Sequence, residues 1–264
     1  IDISNTTINL LKALNNKQLT HFKAENCQLT DIDALAKMPL IVLNLKKTPL
    51  KKAHILASFP KLKYLNIDST FIDSLKALRN NTSLISLSIN SCPIRSLDGL
   101  QNCQLTYLAA SHSSINSLNE LQGQAIKKAY LNHTQIEDIS PLANKSLTFL
   151  SLSHCPFLKT ETLSNCTELK ELTINEGNIK NLSFLNKINL RIFRASYNQI
   201  RDIRGLAHMS QLEILNLNKN PLQDISPLKD TSLRELSLSL TSVKDLTPLR
   251  ELPLERLSLS DCKQ

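Results

Sequence analysis

Aliphatic residues recur along this chain with a fixed internal rhythm. The segment LEILNLNKNPLQDISPLKDTS carries them at Leu212, Leu215, Leu217, Leu222, Ile225 and Leu228, and the next copy opens at Leu233. Copies with the same rhythm open at Leu19, Leu40, Leu62, Leu84, Leu105, Ile126, Leu147, Leu169, Leu190, Leu212, Leu233 and Leu254, each 21 or 22 residues after the last. Chance aliphatic clusters would drift out of phase within a few units, so this is a repeat array. The first, fourth and sixth positions of a copy alternate with polar ones, as in a short strand with one buried face. Stacked copies align such strands into a parallel sheet with neighbours roughly 4.8 Å apart. The eleventh, fourteenth and seventeenth positions, such as Ile136, Ile139 and Leu142, have the spacing of a tight helical turn on the outer side. Pro141, Pro227 and Pro248 precede the last of these, which favours a 3₁₀ or extended return over an α-helix. The expected architecture is an α/β repeat solenoid with a parallel concave sheet and short convex segments. It is expected as a single domain over residues 1–264, about twelve copies long, since each copy need only pack on its neighbours. Ile1, Ile3 and Ile8 already sit in register and the copy opened by Leu254 stops at Gln264, so both ends are read as cut within a copy.

Three segments carry a resemblance to a known family: Asp138-Ile139-Ser140-Pro141-Leu142, Asp224-Ile225-Ser226-Pro227-Leu228 and Asp245-Leu246-Thr247-Pro248-Leu249. With the period, they resemble the 21- to 22-residue class of leucine-rich repeat found in bacterial internalins and in the leucine-rich regulatory subunit of protein phosphatase 1. The resemblance runs the length of the chain and implies a curved leucine-rich-repeat horseshoe that works by binding. Copies poor in glycine and substituted with Thr and Cys depart from the internalin pattern, so host-receptor binding does not carry over with it.

Composition changes this picture little. Lys and Arg outnumber Asp and Glu by 31 to 23, a surplus too diffuse for a nucleic-acid footprint. No apolar run approaches the roughly 20 residues that span a bilayer. Of the six cysteines, Cys27, Cys92, Cys155 and Cys262 hold the ninth position of their copies. That column is shared with Thr48, Thr70, Ser113, Thr134, Asn198, Asn220 and Thr241, small polar side chains placed to satisfy backbone groups where the strand turns. Cys103 and Cys166 share the twentieth position. Members of each column lie three or more copies apart, roughly 14 Å at the strand spacing, too far to bridge. Six reduced thiols are expected, which favours the cytoplasm; the alternative is a cell-surface or secreted protein. Phe22 with Ala24 and Phe193 with Ala195 pair a large residue with a small one and are read as core.

Candidate function lies on the open face of the sheet, built from the third, fifth and seventh positions. The third supplies Tyr64, Tyr107 and Phe149; the fifth supplies Tyr130 and Arg194. Beside them, at the eighth position, stand His112, His133 and His154 in consecutive copies, then Glu176 and Tyr197. Rings that an aliphatic core does not need, set with His and Arg on a solvent face, have the composition of an interaction hot spot. Two neighbouring imidazoles could approach one zinc, but no third ligand beyond Glu176 is evident, and no metal site is assigned. No glycine-rich phosphate loop or nucleophile elbow is present, and no cofactor is implied. The sequence therefore reads as a non-enzymatic, monomeric module binding a protein or peptide through its concave sheet, with no nucleic acid and no membrane span. The alternative is a surface-exposed or secreted adhesion module of internalin type that engages a host protein or glycan.

Overall fold

The computed structural model describes residues 1–9, 11–15, 17–143, 146–155 and 159–262. These form two compact units, Ile1–Gln135 and Ile136–Gln264. In the first, strands β1 (His21–Lys23), β2 (Val42–Asn44), β3 (Tyr64–Asn66), β4 (Ser86–Ser88), β5 (Tyr107–Ala109) and β6 (Lys128–Tyr130) pair in sequence order, all parallel and residue for residue. In the second, β7 (Phe149–Ser151), β8 (Glu171–Thr173), β9 (Ile192–Arg194), β10 (Ile214–Asn216), β11 (Glu235–Ser237) and β12 (Arg256–Ser258) pair in the same way. Each strand occupies positions three to five of its copy. Most return segments are 3₁₀ turns at positions fifteen to seventeen, such as Asp33–Leu35 and Ser140–Leu142; His54–Ser58 and Glu161–Asn165 run two residues further, and the copy carrying β4 returns through a plain turn. The described residues contain no α-helix. This is a leucine-rich-repeat solenoid fold, with a parallel sheet on one side and 3₁₀ segments on the other.

The core is the set of columns that the periodicity marks. Leu43, Leu45, Leu87 and Ile89 in the first unit and Leu172, Ile174, Leu236 and Leu238 in the second are buried at the fourth and sixth positions. Phe22 with Ala24 and Phe193 with Ala195 are fully buried, so a ring at one position is accommodated by a methyl at the other. Position sixteen shows how closely copies pack. A Cβ on Gly99, whose φ is +111°, would lie 2.2 Å from the Leu75 carbonyl oxygen.

Two polar devices make the repeat regular. Every copy turns out of its strand through a left-handed residue at the eighth position, from Asn26 (φ 56°) to Asp261 (φ 55°). That residue's N–H continues the ladder into the next copy, as Ser69 does to Asn90 O at 2.8 Å and Tyr197 to Asn218 O at 2.9 Å. The turn leaves the sixth carbonyl facing inward, and the ninth side chain satisfies it. Thr48 Oγ1 donates to Leu45 O (2.7 Å), Thr241 Oγ1 to Leu238 O (2.7 Å), and Cys92 Sγ reaches back one copy to Ile67 O (2.9 Å). In the copy where Gly177 leaves the column without a side chain, Asn198 of the next copy covers the gap. Its Nδ2 donates to Ile174 O (2.9 Å) and Ala195 O (3.0 Å), and its Oδ1 accepts from Gly177 N (2.9 Å) and Ile179 N (3.0 Å). The ladder role read for this column in the sequence is the role it plays. Further along, Asp138, Asp202, Asp224 and Asp245 at the thirteenth position accept from the N–H two residues on, at 2.8 to 2.9 Å, and so cap the 3₁₀ turns.

Candidate interaction face

In the first unit, the solvent face of the strands bears Tyr64 on β3, Tyr107 on β5 and Tyr130 on β6. Tyr64 is 47% exposed and the other two are half-buried. Tyr107 and Tyr130 pack at 5.7 Å between centroids with their planes tilted by 48°, an arrangement favoured by ring quadrupoles. Burial, then the neighbouring Tyr130 and Asp68, push the Tyr107 hydroxyl above its ordinary pKa. Strand register puts Ser86 between Tyr64 and Tyr107 in one row. The two rings thus stand about two strand spacings, roughly 10 Å, apart over a small residue. They border a concave pocket of about 460 Å³ that is also lined by Lys23, Asn44, Asn66, Asp68, Ser88 and Asn90.

The polar floor of that pocket is the part that reading the sequence missed. Asp68 accepts from Ser88 Oγ (2.7 Å), Asn90 N (2.7 Å) and Asn90 Nδ2 (3.2 Å), so its charge is held by a local network. Asn44 and Asn66 each use Oδ1 to accept the N–H two residues on, from Lys46 at 3.1 Å and Asp68 at 2.9 Å. Their Nδ2 groups make no hydrogen bond among the described residues. A signal existed, in the run Lys23, Asn44, Asn66, Ser88 at the fifth position of four successive copies.

His112 and His133 lie outside the strands at the left-handed eighth position, with φ of 58° and 55°. Both are exposed, and their rings stack at 4.2 Å with planes 17° apart. Imidazole lone pairs lie in the ring plane, so stacked rings aim their nitrogens side by side rather than at one shared ion. Among the described residues no group of three His, Cys, Asp or Glu side chains is placed to hold a metal.

In the second unit, Phe149 on β7 is half-buried and Arg194 on β9 partly so. His154, Glu176 and Tyr197 occupy the eighth position with positive φ. His154 Nδ1 lies 3.2 Å from Glu176 Oε2, and Lys219 Nζ sits 4.1 Å over the Tyr197 ring. A belt of ion pairs crosses this unit's strands: Arg191 bridges Glu171 (3.1 Å) and Glu213 (3.0 Å), Arg234 pairs with Glu255 (2.6 Å), and Arg256 pairs with Glu235. Hydrogen bonds that Arg191 donates to Glu213 and Glu171 raise its pKa. The structure thus places five of the candidate residues on the first unit and five on the second.

The geometry defines a leucine-rich-repeat fold. A model of leucine-rich repeats in two copies matches residues 188–230, and no curated protein is significantly similar in sequence. Among solved structures, an internalin from Listeria monocytogenes, InlF, superposes with a TM-score of 0.86 at 24% identity, over 97% of this chain and 85% of that one. Internalin C2 of the same organism aligns at 27% identity with a TM-score of 0.64, over 70% of this chain and 83% of that one. The functional domain of InlJ from Listeria monocytogenes, which includes a cysteine ladder, aligns at 22% identity with a TM-score of 0.78, over 99% of this chain and 58% of that one. This chain thus shares the leucine-rich-repeat fold of these internalins. No helix among the described residues is long and apolar enough to cross a membrane.

Proposed function

We propose that this protein is a non-enzymatic binding module that recognises a protein partner through the solvent face of its strands. The residues assigned to contact are Tyr64, Tyr107, His112, Tyr130 and His133 in the first unit and Phe149, His154, Glu176, Arg194 and Tyr197 in the second. The observation that carries this reading is the exposure of large rings that the core does not need, led by Tyr64 at 47% and Tyr197 at 50%. A sheet held by a residue-for-residue ladder presents such rings at little entropic cost on binding. Replacing Tyr107, Tyr130 and Phe149 together by Ala tests it. Capture of a partner in pull-down is expected to be lost with the melting temperature nearly unchanged, and a large fall in melting temperature would make the rings structural instead.

The buried cysteines, none joined in a disulfide, support a reducing compartment and a cytoplasmic protein. The likeness to internalin folds supports a second reading, a surface-exposed or secreted adhesion module. Labelling of intact cells with a membrane-impermeant reagent separates the two. Labelling of this protein would overturn the cytoplasmic reading.

A further inference from the structure

The pocket between Tyr64 and Tyr107 holds chemistry that the fold does not use. Its two charges are already answered from within the chain. Lys23 stands beside Asp2, its partner in the strand register, and Asp68 accepts from Ser88 and Asn90. Among the described residues these are the only charged side chains that line the pocket, so an ion of either sign meets its own kind there. The remaining groups are neutral. Asn44 and Asn66, adjacent in the register, use Oδ1 for backbone and keep Nδ2. The Ser86 and Tyr64 hydroxyls likewise make no hydrogen bond among the described residues. Asp68 Oδ2 accepts one bond, from Asn90 Nδ2 at 3.2 Å, and has a further lone pair for a donor. Donors and acceptors thus stand within one or two strand spacings of each other, roughly 5 to 10 Å, between two rings.

We propose that this pocket binds a neutral saccharide. Each sugar hydroxyl both donates and accepts, so neighbouring hydroxyls take a bond from the Asn44 or Asn66 amide and give one to Asp68 or Ser86. The C–H face of a pyranose is apolar and packs on a tyrosine ring by dispersion. An apolar peptide side chain in the same place would cover the two amides without pairing them. The dimensions agree with a sugar. Tyr64 and Tyr107 stand about two strand spacings apart over Ser86, roughly 10 Å, and a ring in contact with both needs about 4 Å on each side. The volume of about 460 Å³ falls among small-molecule sites, which run from about 300 to 1,000 Å³. In the second unit the third position carries Glu171, Glu235 and Arg256, tied into the Arg–Glu belt, so the saccharide site belongs to the first unit. This ligand is additional to the protein partner proposed above, although Tyr64 and Tyr107 serve both.

The test is isothermal titration calorimetry of the full chain with neutral tetrasaccharides of the malto, cello, N-acetylchito, manno and galacto series, supported by saturation-transfer NMR. At least one series is expected to bind with a Kd of about 1 mM or tighter. Saturation transfer should be strongest at the ring C–H protons, and affinity should be unchanged when NaCl is raised to about 0.5 M, since no charge is involved. Tyr64→Ala is expected to weaken binding about tenfold, and Ser86→Leu, which fills the gap, to abolish it. Loss of both amides in Asn44→Ala with Asn66→Ala should weaken it further than either change alone. A circular dichroism melt checks that the variants fold, and Tyr64→Ala, at a side chain 47% exposed, keeps the test open if the amide variants lose stability. Absence of binding by all five series, or binding that Tyr64→Ala and Ser86→Leu leave intact, would overturn the proposal. Selective binding of tetragalacturonate that salt abolishes would also overturn it, by assigning the pocket to acidic ligands. If no saccharide binds while partner capture still depends on Tyr107, Tyr130 and Phe149, the protein-binding function stands and the saccharide site alone falls.

Discussion

Replacing Asn198 by Ala tests whether the ninth column holds the turns in place. The side chain is 7% exposed and makes four short hydrogen bonds to backbone, two as donor to Ile174 O and Ala195 O and two as acceptor from Gly177 N and Ile179 N. Removing it breaks four bonds at once and orphans three buried backbone groups, since Ala195 O keeps the Asn220 Nδ2 donor at 2.9 Å. At about 1 kcal/mol net for each bond, the expected cost is about 4 kcal/mol, at the upper end for a single substitution. Thr48→Val is the matched comparison, since it preserves shape and removes one bond, from Thr48 Oγ1 to Leu45 O, for about 1 kcal/mol. Urea unfolding followed by far-ultraviolet circular dichroism gives the two losses. Because repeat arrays can unfold in parts, hydrogen exchange at the Gly177 and Ile179 amides should accompany it. Those two amides are expected to lose protection in Asn198→Ala and to keep it in Thr48→Val. A difference between the variants below about 1 kcal/mol, or a Gly177 amide that stays protected without Asn198, would refute the ladder argument.

Gly99→Ala sets a Cβ 2.2 Å from the Leu75 carbonyl oxygen at a φ of +111° and is expected to cost about 3 kcal/mol or more by forced backbone movement. Gly123→Ala, at φ +82° with nothing within 4 Å, should cost only the strain of its φ, about 1 kcal/mol, when the two melts are compared. Hydrogen bonds hold the carboxyls of Asp138, Asp202 and Asp245 below the usual range, led by the Ser140 backbone, the Arg204 side chain and the Thr247 side chain respectively. A depressed folded pKa contributes stability that is complete above the unfolded value near pH 4 and vanishes as pH falls through the folded value, so the thermal midpoint should drop more on acidification in wild type than in the triple Asp→Asn variant. Tyr197→Asn relieves a bulky residue at φ 58° and gives up the Lys219 contact, terms of about 1 kcal/mol each that nearly cancel. Stability should change little while partner capture weakens, and undiminished capture would remove Tyr197 from the interface.

How much of this was legible in the sequence depends on whether a residue's role is set by its place in the period or by its neighbours in the next copy. Leu87, Ile89, Ile136, Ile139 and Leu142 declare themselves because the apolar spacing is the fold's own requirement, and Pro141, Pro227 and Pro248 because φ near −65° suits a 3₁₀ entry. The ninth column was readable for the same reason. The pocket floor was not, since Lys23, Asn44 and Asn66 are unremarkable one at a time. Their joint meaning depends on which Asn oxygen is already used by backbone, a fact of side-chain rotation rather than of spacing.

The eighth column shows how a local backbone requirement can imitate a functional motif. Three histidines at successive copies invite a chemical explanation, yet the position is left-handed in every copy, and Asn5, Asn26 and Asp261 occupy it elsewhere. Asn, Asp and His are the residues that tolerate this conformation best, so repeat geometry by itself accounts for their recurrence. The 4.2 Å stacking of His112 on His133 then follows from side chains repeating at the strand spacing of roughly 4.8 Å. Tyr197 and Leu240 have no such excuse: both are bulky, both carry a φ of 58°, and they are 50% and 39% exposed. Where a residue sits against the preference of its own backbone and buries little in return, selection for something outside the fold is the better explanation. Within the candidate set, that argument shifts weight from the histidines toward Tyr197.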